Sequence, residues 1–336
     1  MSGMAGQPDP LLYLSAADVE IALPPVEERL RLAERTMTAL VADAELPPKI
    51  GVHPRSPSSF GHAMPAYLRG GDRDGADDLL GMKWVVGFPA NRAAGLPAIS
   101  ALVLLDDPRT GLPAAILDGA PITAARTAAI SGVAIRHFAP AVADRAPRVA
   151  LIGAGVQGHS HLPVIGHLLP GAGVRIHDRH PERAAALAES AAIVPGIGAA
   201  VPVGSAREAV ADADVVITAI SFGPRGQTMG NDPLAANALV VAVDYAMTIA
   251  AEVAREASLF LIDERAQFLA NRTAGMFDDY PEPGATLGEA IIAGTPRPLN
   301  GRVLVTHLGV GLSDVVFGEA IVRVARSLGA GTVLPR

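Results

Sequence analysis

Beyond Pro147 the chain alternates in a way that leaves few folds open to it. RVALI is followed by a helical stretch, then VRIHD, the helix PERAAALAESA, AAVPV and another helix, and the pattern continues through ADVVITAI, ALVVAVD and SLFLIDE. Strands separated by helices pair in parallel, because the crossover must carry the chain back to the starting edge before the next strand begins. Such strands are covered on both faces, which explains why these runs are rich in Val and Ile and lack polar alternation. The expected fold class is therefore α/β, with a doubly wound parallel sheet of about 150 residues.

The other half of the chain reads differently. Ser15 and Asp18 frame a capped helix start, and Pro25 opens a longer amphipathic stretch, VEERLRLAERTMTALVADAEL. From Pro47 to about Asp118, short apolar runs are cut by Gly and Pro, with DDPRTG as a turn between two of them, and this predicts an antiparallel sheet. Gly70 to Gly81 is expected to be a mobile loop. A helix follows Thr123, and a last helix, Ser313 to Leu328 with Gly329 beyond it, is expected to return to the N-terminal half. A chain of 336 residues exceeds what one core usually serves. Two domains are expected, 1–127 with 309–336 as an α+β domain and 128–308 as the doubly wound one.

Composition narrows the function classes. Lys and Arg number 27 against 34 Asp and Glu, a net charge of −7, so no nucleic acid partner is expected. With no Cys there is no disulfide framework, no thiolate zinc site and no Cys nucleophile. No metal site is expected. The start, MSGMAGQPDPLLYLS, has neither a basic segment nor a continuous apolar one, and apolar runs elsewhere break well before a membrane span. A cytoplasmic protein without membrane contact is the expectation.

The most specific motif follows RVALI directly. Gly153-Ala154-Gly155-Val156-Gln157-Gly158 is a G-x-G-x-x-G loop between a strand and a helix, and the next strand ends at Asp178, twenty residues after Gly158. That is the dinucleotide-binding fingerprint of a Rossmann-type domain. Glycines let the main chain approach a pyrophosphate, the helix N-terminus favours its charge, and the acid accepts bonds from the ribose hydroxyls. Asp178 repels a 2′-phosphate and so favours NAD over NADP; its neighbour Arg179 pulls the other way. Thr218 and Ser221 close ADVVITAIS at the edge where such sheets bind ligands, or else they cap the next turn. His159, His161 and His167 lack acid or Cys companions at ligand spacing and are expected to be structural.

Three cations lie in apolar or turn-rich surroundings, where Lys and Arg need an anionic partner: Lys49 in LPPKIGV, Lys83 in GMKWVVGFP and Arg126 in ITAARTAA. Around them run K-x-V-x-x-F-P-x-N, G-L-P, D-x-x-T-G-x-P and I-T-x-x-R-T-A-A, followed by the glycine loop and ending in HLGVGLSDVVFGEAI. In this order the motifs resemble the ornithine cyclodeaminase and mu-crystallin family over nearly the whole chain. The resemblance implies a homodimer whose α+β domain supplies subunit interface and substrate pocket, beside a Rossmann domain holding a nicotinamide cofactor. It assigns Lys49, Lys83 and Arg126 to the carboxylate of a small amino acid or imine, and counts Lys83 and Asp244, which closes ALVVAVD, as catalytic.

Two departures qualify what the resemblance implies. Lys49 stands where ornithine cyclodeaminase has an arginine, which keeps the charge but loses the two-pronged contact. His62 stands where the cyclodeaminase holds the distal ammonium with a glutamate, and imidazole is a poor partner for an ammonium. The family-type reaction converts ornithine to proline and ammonia with no net redox change. Ketimine reduction or alanine-type dehydrogenation are the alternatives, and from another class a mu-crystallin-like protein that binds NAD(P)H and a small molecule.

Overall fold

The computed structural model describes residues 10–71, 75–223 and 226–335. Two compact units emerge, one formed by Met1–Pro25, Ala42–Thr123 and Val310–Arg336, the other by Val26–Val41 and Ala124–Gly309.

In the first unit the sheet runs in the order Thr332–Leu334, Leu11–Leu14, Pro113–Asp118, Ile99–Asp106, Leu79–Gly87, Phe60–Leu68 and Ala44–Glu45, with Ile50–Val52 also on Phe60–Leu68. All pairs are antiparallel except Leu11–Leu14 with Pro113–Asp118. Helix Gly311–Leu328 lies on one face of this sheet and ends at Gly329, whose φ of 64° is a left-handed cap. Gly311 lets the helix come close: a Cβ there would sit 2.3 Å from the Met64 carbonyl oxygen. Helix Ala16–Ile21 starts on the expected capping box, in which Ser15 and Asp18 satisfy each other's main-chain N–H. The Gly70–Gly81 expectation needs correction at its end. Strand Leu79–Gly87 begins inside it, and the Asp78 carboxylate takes the Tyr67 hydroxyl and the Gly70 N–H, while residues 72–74 lie outside the described ones.

The second unit holds one parallel sheet, in the order Ile197–Pro202, Ala172–His177, Arg148–Ile152, Val215–Thr218, Leu239–Ala242, Val303–Thr306, Leu259–Ile262 and Ala285–Thr286. Chain order reverses between Arg148–Ile152 and Val215–Thr218, the switch point at which open α/β sheets bind ligands. Apart from the exposed Arg148 that opens its strand, the central strands are buried, as their Val and Ile content requires.

Helix Val26–Ala39 belongs to this second unit, although the sequence division placed it in the first. Leu30 fills the space a side chain at Gly132 would take, 2.4 Å from that position, and Gly288 sits so close to Met37 that a Cβ would come within 1.9 Å of its carbonyl oxygen. Periodicity marks the apolar face of such a helix; which surface receives it depends on where distant glycines leave room.

Candidate active site

The register of the parallel sheet brings several strand ends to one level. Ile152 pairs with Thr218, Thr218 with Ala242, Ala242 with Thr306, and Thr306 with Ile262. The residues just past these ends, Gly153, Ala219, Asp244, His307 and Asp263, therefore share one edge.

At Gly153 the chain turns with φ of 108°, and a Cβ there would lie 2.6 Å from the Ala219 carbonyl oxygen. Gly158 is needed for a similar reason, since its Cβ would meet the Gly153 carbonyl oxygen at 2.5 Å. Gly155 differs. It precedes helix Val156–Leu168 with an ordinary extended backbone, and nothing lies within 4 Å of where its Cβ would be. No packing inside the chain requires glycine there, so the open space in front of it fits the close approach of a phosphate group. Val156, in the first turn, is exposed, and Gln157 behind it is half-buried.

Asp178 lies beside this loop. One carboxylate oxygen accepts the Ala154 N–H at 2.8 Å and the other the His180 N–H at 2.9 Å. The acid thus holds the glycine loop; Arg179 next to it is exposed. Ser221 is exposed in the loop after Val215–Thr218, while Thr218 is buried at the strand end beside Asp244.

Asp244 follows strand Leu239–Ala242 by two residues instead of closing it, and is buried. Its carboxylate accepts the Thr248 hydroxyl at 2.6 Å and, at longer range, the Ile220 and Thr248 N–H groups at 3.5 and 3.4 Å. Burial pushes its pKa above the ordinary carboxylate value, outweighing the Thr248 and Thr218 hydroxyls that pull the other way. The helix beyond it runs Ala251–Glu256, so Asp244 is not its N-cap. Tyr245 and Ala246 both have positive φ, 54° and 60°, a conformation that costs free energy outside glycine and persists because the surrounding structure fixes the turn carrying Asp244.

Arg126 is buried, and a Cβ at Gly309, whose φ is 76°, would lie 2.3 Å from its guanidinium. Two of the histidines expected to be structural are held by side chains: His161 contacts Ser131 at 2.8 Å and His167 contacts Glu27 at 2.8 Å, while His159 faces the Gly155 carbonyl oxygen at 3.1 Å.

In the first unit, Lys83 Nζ lies 2.7 Å from the Asp314 carboxylate, both side chains buried, and 3.5 Å from the Thr123 hydroxyl. His62 sits two residues from Met64, the register partner of Lys83, and so shares the inner face of the sheet with it. Burial, with Lys49 and His53 nearby, lowers the His62 pKa and favours its neutral form, and the ring stacks on Phe60 at 4.6 Å. Lys49 precedes strand Ile50–Val52, whose Gly51 pairs with His62. Sequence reading missed Asp314, Asp263, His307 and Ser131. A signal was available for Asp263 and His307, since each directly follows an apolar run that reads as a strand.

The profile of the ornithine cyclodeaminase/mu-crystallin family matches residues 14–244. The nodulation efficiency protein NfeD of Rhizobium meliloti is 33% identical over 331 residues, 97% of this chain and 98% of its own. The ketimine reductase mu-crystallin of Mus musculus is 28% identical, over 77% of this chain and 78% of its own. Among solved structures, the Δ1-pyrroline-2-carboxylate reductase of Thermococcus litoralis, in complex with NADH and L-proline, superposes with a TM-score of 0.82 at 26% identity, covering 96% of this chain and all of its own. Profile, full-length relative and superposed structure agree with the glycine loop and the sheet order: the chain belongs to the ornithine cyclodeaminase/mu-crystallin family.

Proposed function

We propose that this chain is an NAD-dependent oxidoreductase acting at the α-carbon of a small amino acid or its cyclic imine. The observation that carries the reading is Asp244: a buried carboxylate with a raised pKa, held among the described residues by neutral donors, at the carboxyl edge two strands from the glycine loop. Such a group is placed to exchange a proton with a substrate amine. A nicotinamide bound on the loop would supply the hydride donor or acceptor. Gly153, Gly155 and Gly158 with the first turn at Val156 and Gln157 would receive its pyrophosphate, Asp178 its ribose hydroxyls, and Thr218 and Ser221 the edge near its reactive end. Asp178 favours NAD; Arg179, exposed beside it, keeps NADP as the lesser choice. Lys49, Lys83 and Arg126 are proposed as carboxylate contacts, with Lys83 oriented by Asp314.

His62 favours a single hydride transfer, as in imine reduction or amino-acid dehydrogenation, over ornithine cyclodeamination. Its neutral form offers no charge to a distal ammonium. The reductase names of the mouse and Thermococcus relatives support the same choice. A homodimer formed through the first unit is part of the proposal. Trp84 and Leu102, direct register partners, stand 39% and 46% exposed on the sheet face opposite Lys83. Among the described residues no helix is long and apolar enough to cross a membrane.

The experiment is a panel of amino acids and cyclic imines assayed for both NADH absorbance and proline formation. Net NADH change with an imine or amino acid supports the reading. Proline from ornithine without net NADH would return the cyclodeaminase, and tight ligand binding with no turnover would mark a binding protein.

A further inference from the structure

His307 follows strand Val303–Thr306 on the edge that carries Asp244, and the main chain around it is tied at every step. Its own N–H reaches the Ala242 carbonyl oxygen at 3.2 Å. The Leu308 and Gly309 N–H groups both donate to one Asp263 oxygen, at 2.7 and 2.8 Å. The Tyr245 hydroxyl and the Gln267 amide donate to the Leu308 and Gly309 carbonyls, at 3.0 and 3.1 Å. The position of the imidazole is thereby set by the backbone.

Its proton is set by a chain of side chains. His307 Nε2 lies 2.9 Å from Ser131 Oγ, which lies 2.8 Å from His161 Nε2, and His161 Nδ1 lies 2.6 Å from the Gln157 carbonyl oxygen. A carbonyl only accepts, so His161 carries its proton on Nδ1. Full burial presses the His161 pKa down to about 4, so the ring is neutral and its Nε2 accepts the Ser131 proton. Ser131 has one proton to give, and its oxygen must then accept from His307 Nε2–H. Burial first, then the charge of Arg126, keep His307 neutral as well. One atom is left over. His307 Nδ1 is a bare acceptor, buried, with no hydrogen-bond partner among the described residues. An acceptor left in that state requires an explanation.

We propose that His307 is a further substrate-recognition residue, whose Nδ1 accepts a hydrogen bond from the N–H of an α-amino acid or of a protonated α-imino acid, and that Ser131 and His161 are positioning residues that fix its tautomer. The inference rests on the reading of the site given above and narrows its substrate class. A 2-oxo acid has no donor at the corresponding atom, so His307 discriminates a protonated imine, which carries an N–H there, from the oxo acid of the same skeleton.

The test uses the full chain labelled with 15N-histidine and loaded with NAD, titrated with L-alanine, with L-proline and with pyruvate. Loss of one ring in His307→Gln assigns its signals. The expected result is an unprotonated Nδ1 in the free protein, whose resonance moves with either amino acid and stays with pyruvate. Ser131→Ala should bring in the second tautomer, and Ser131→Thr should restore the first. In turnover, His307→Gln should reduce the preference for imine over oxo acid by about tenfold or more. A proton on Nδ1 in the free protein overturns the proposal. So does a resonance unmoved by amino acids that bind, the sign of a resident water or of purely structural packing. If no amino acid binds the unaltered chain, the failure lies in the functional reading itself and shows before any substitution is made.

Discussion

Two buried carboxylates in this molecule face opposite surroundings. Asp314, on the helix that covers the sheet of the first unit, is paired with Lys83 at 2.7 Å, and neither side chain reaches solvent. Asp244, at the edge of the parallel sheet, is held by hydroxyl and main-chain donors, and no Lys or Arg forms an ion pair with it among the described residues. A buried carboxylate paired with a cation has its field already answered and serves to hold that cation in place, not to take up a proton. A carboxylate among neutral donors keeps its proton affinity raised and its charge unspent, as the proposed proton exchange with a substrate amine would need. Burial alone therefore does not mark a functional acid; the kind of partner does.

The widest separation between the two sites should come from Asp244→Asn, which keeps the shape and removes the base. The kcat on whichever amino acid or imine is turned over should fall by about 10²–10⁴ with cofactor affinity nearly unchanged, and more than about a third of the original kcat would move the proton transfer to another group. Because burial raises the Asp244 pKa, the acid persists above the ordinary carboxylate range and the base form appears only as pH rises through the raised value. The acid limb of kcat/KM should accordingly sit above that range and vanish in the variant.

For the closed pair the reading is stability. Lys83→Met leaves Asp314 buried without its cation and should cost about 3–5 kcal/mol in denaturant unfolding, whereas Lys83→Met combined with Asp314→Leu should regain most of it. Equal losses in the single and double variants would show that the pair does not balance itself.

A smaller effect belongs to buried groups that are kept uncharged. The folded protein holds His161 down at about 4 against 6.5 in the unfolded chain, so as pH falls below about 6.5 the unfolded state takes up the proton first. Stability is thus present above that value and lost on the way down to about pH 4, by roughly 3 kcal/mol from this residue. His161→Gln should flatten the slope measured by thermal unfolding; an unchanged slope would remove His161 as its source.

The smallest expected change concerns Asp178, a carboxylate neither closed by a cation nor deeply buried. Asp178→Asn should reduce the preference for NADH over NADPH by about tenfold, close to 1.4 kcal/mol, read from the two dissociation constants. Tighter NADPH than NADH binding in the unaltered chain would hand cofactor choice to Arg179.

How much could be read in advance follows from the range of each interaction. The glycine loop, Asp178 and the alternation of strands are local, each contained in one turn or one crossover, and all were legible. Asp244 was legible as a strand-end acid, although its strand stops two residues earlier than the apolar run suggests, because the turn through Tyr245 and Ala246 takes over. Asp314 was not, since a buried acid on an apolar helix declares itself only when its partner, 231 positions away in sequence, is seen opposite it.

The parallel sheet, the capped helices and the dinucleotide loop are written in local pattern, because periodicity, caps and glycine conformation act over a few residues. It took the folded chain to show that Val26–Ala39 packs with the second unit, that Lys83 pairs with Asp314, and that His161, Ser131 and His307 line up into one ordered chain. Those outcomes depend on which distant surfaces come within hydrogen-bond reach, and a one-dimensional pattern carries no such distance.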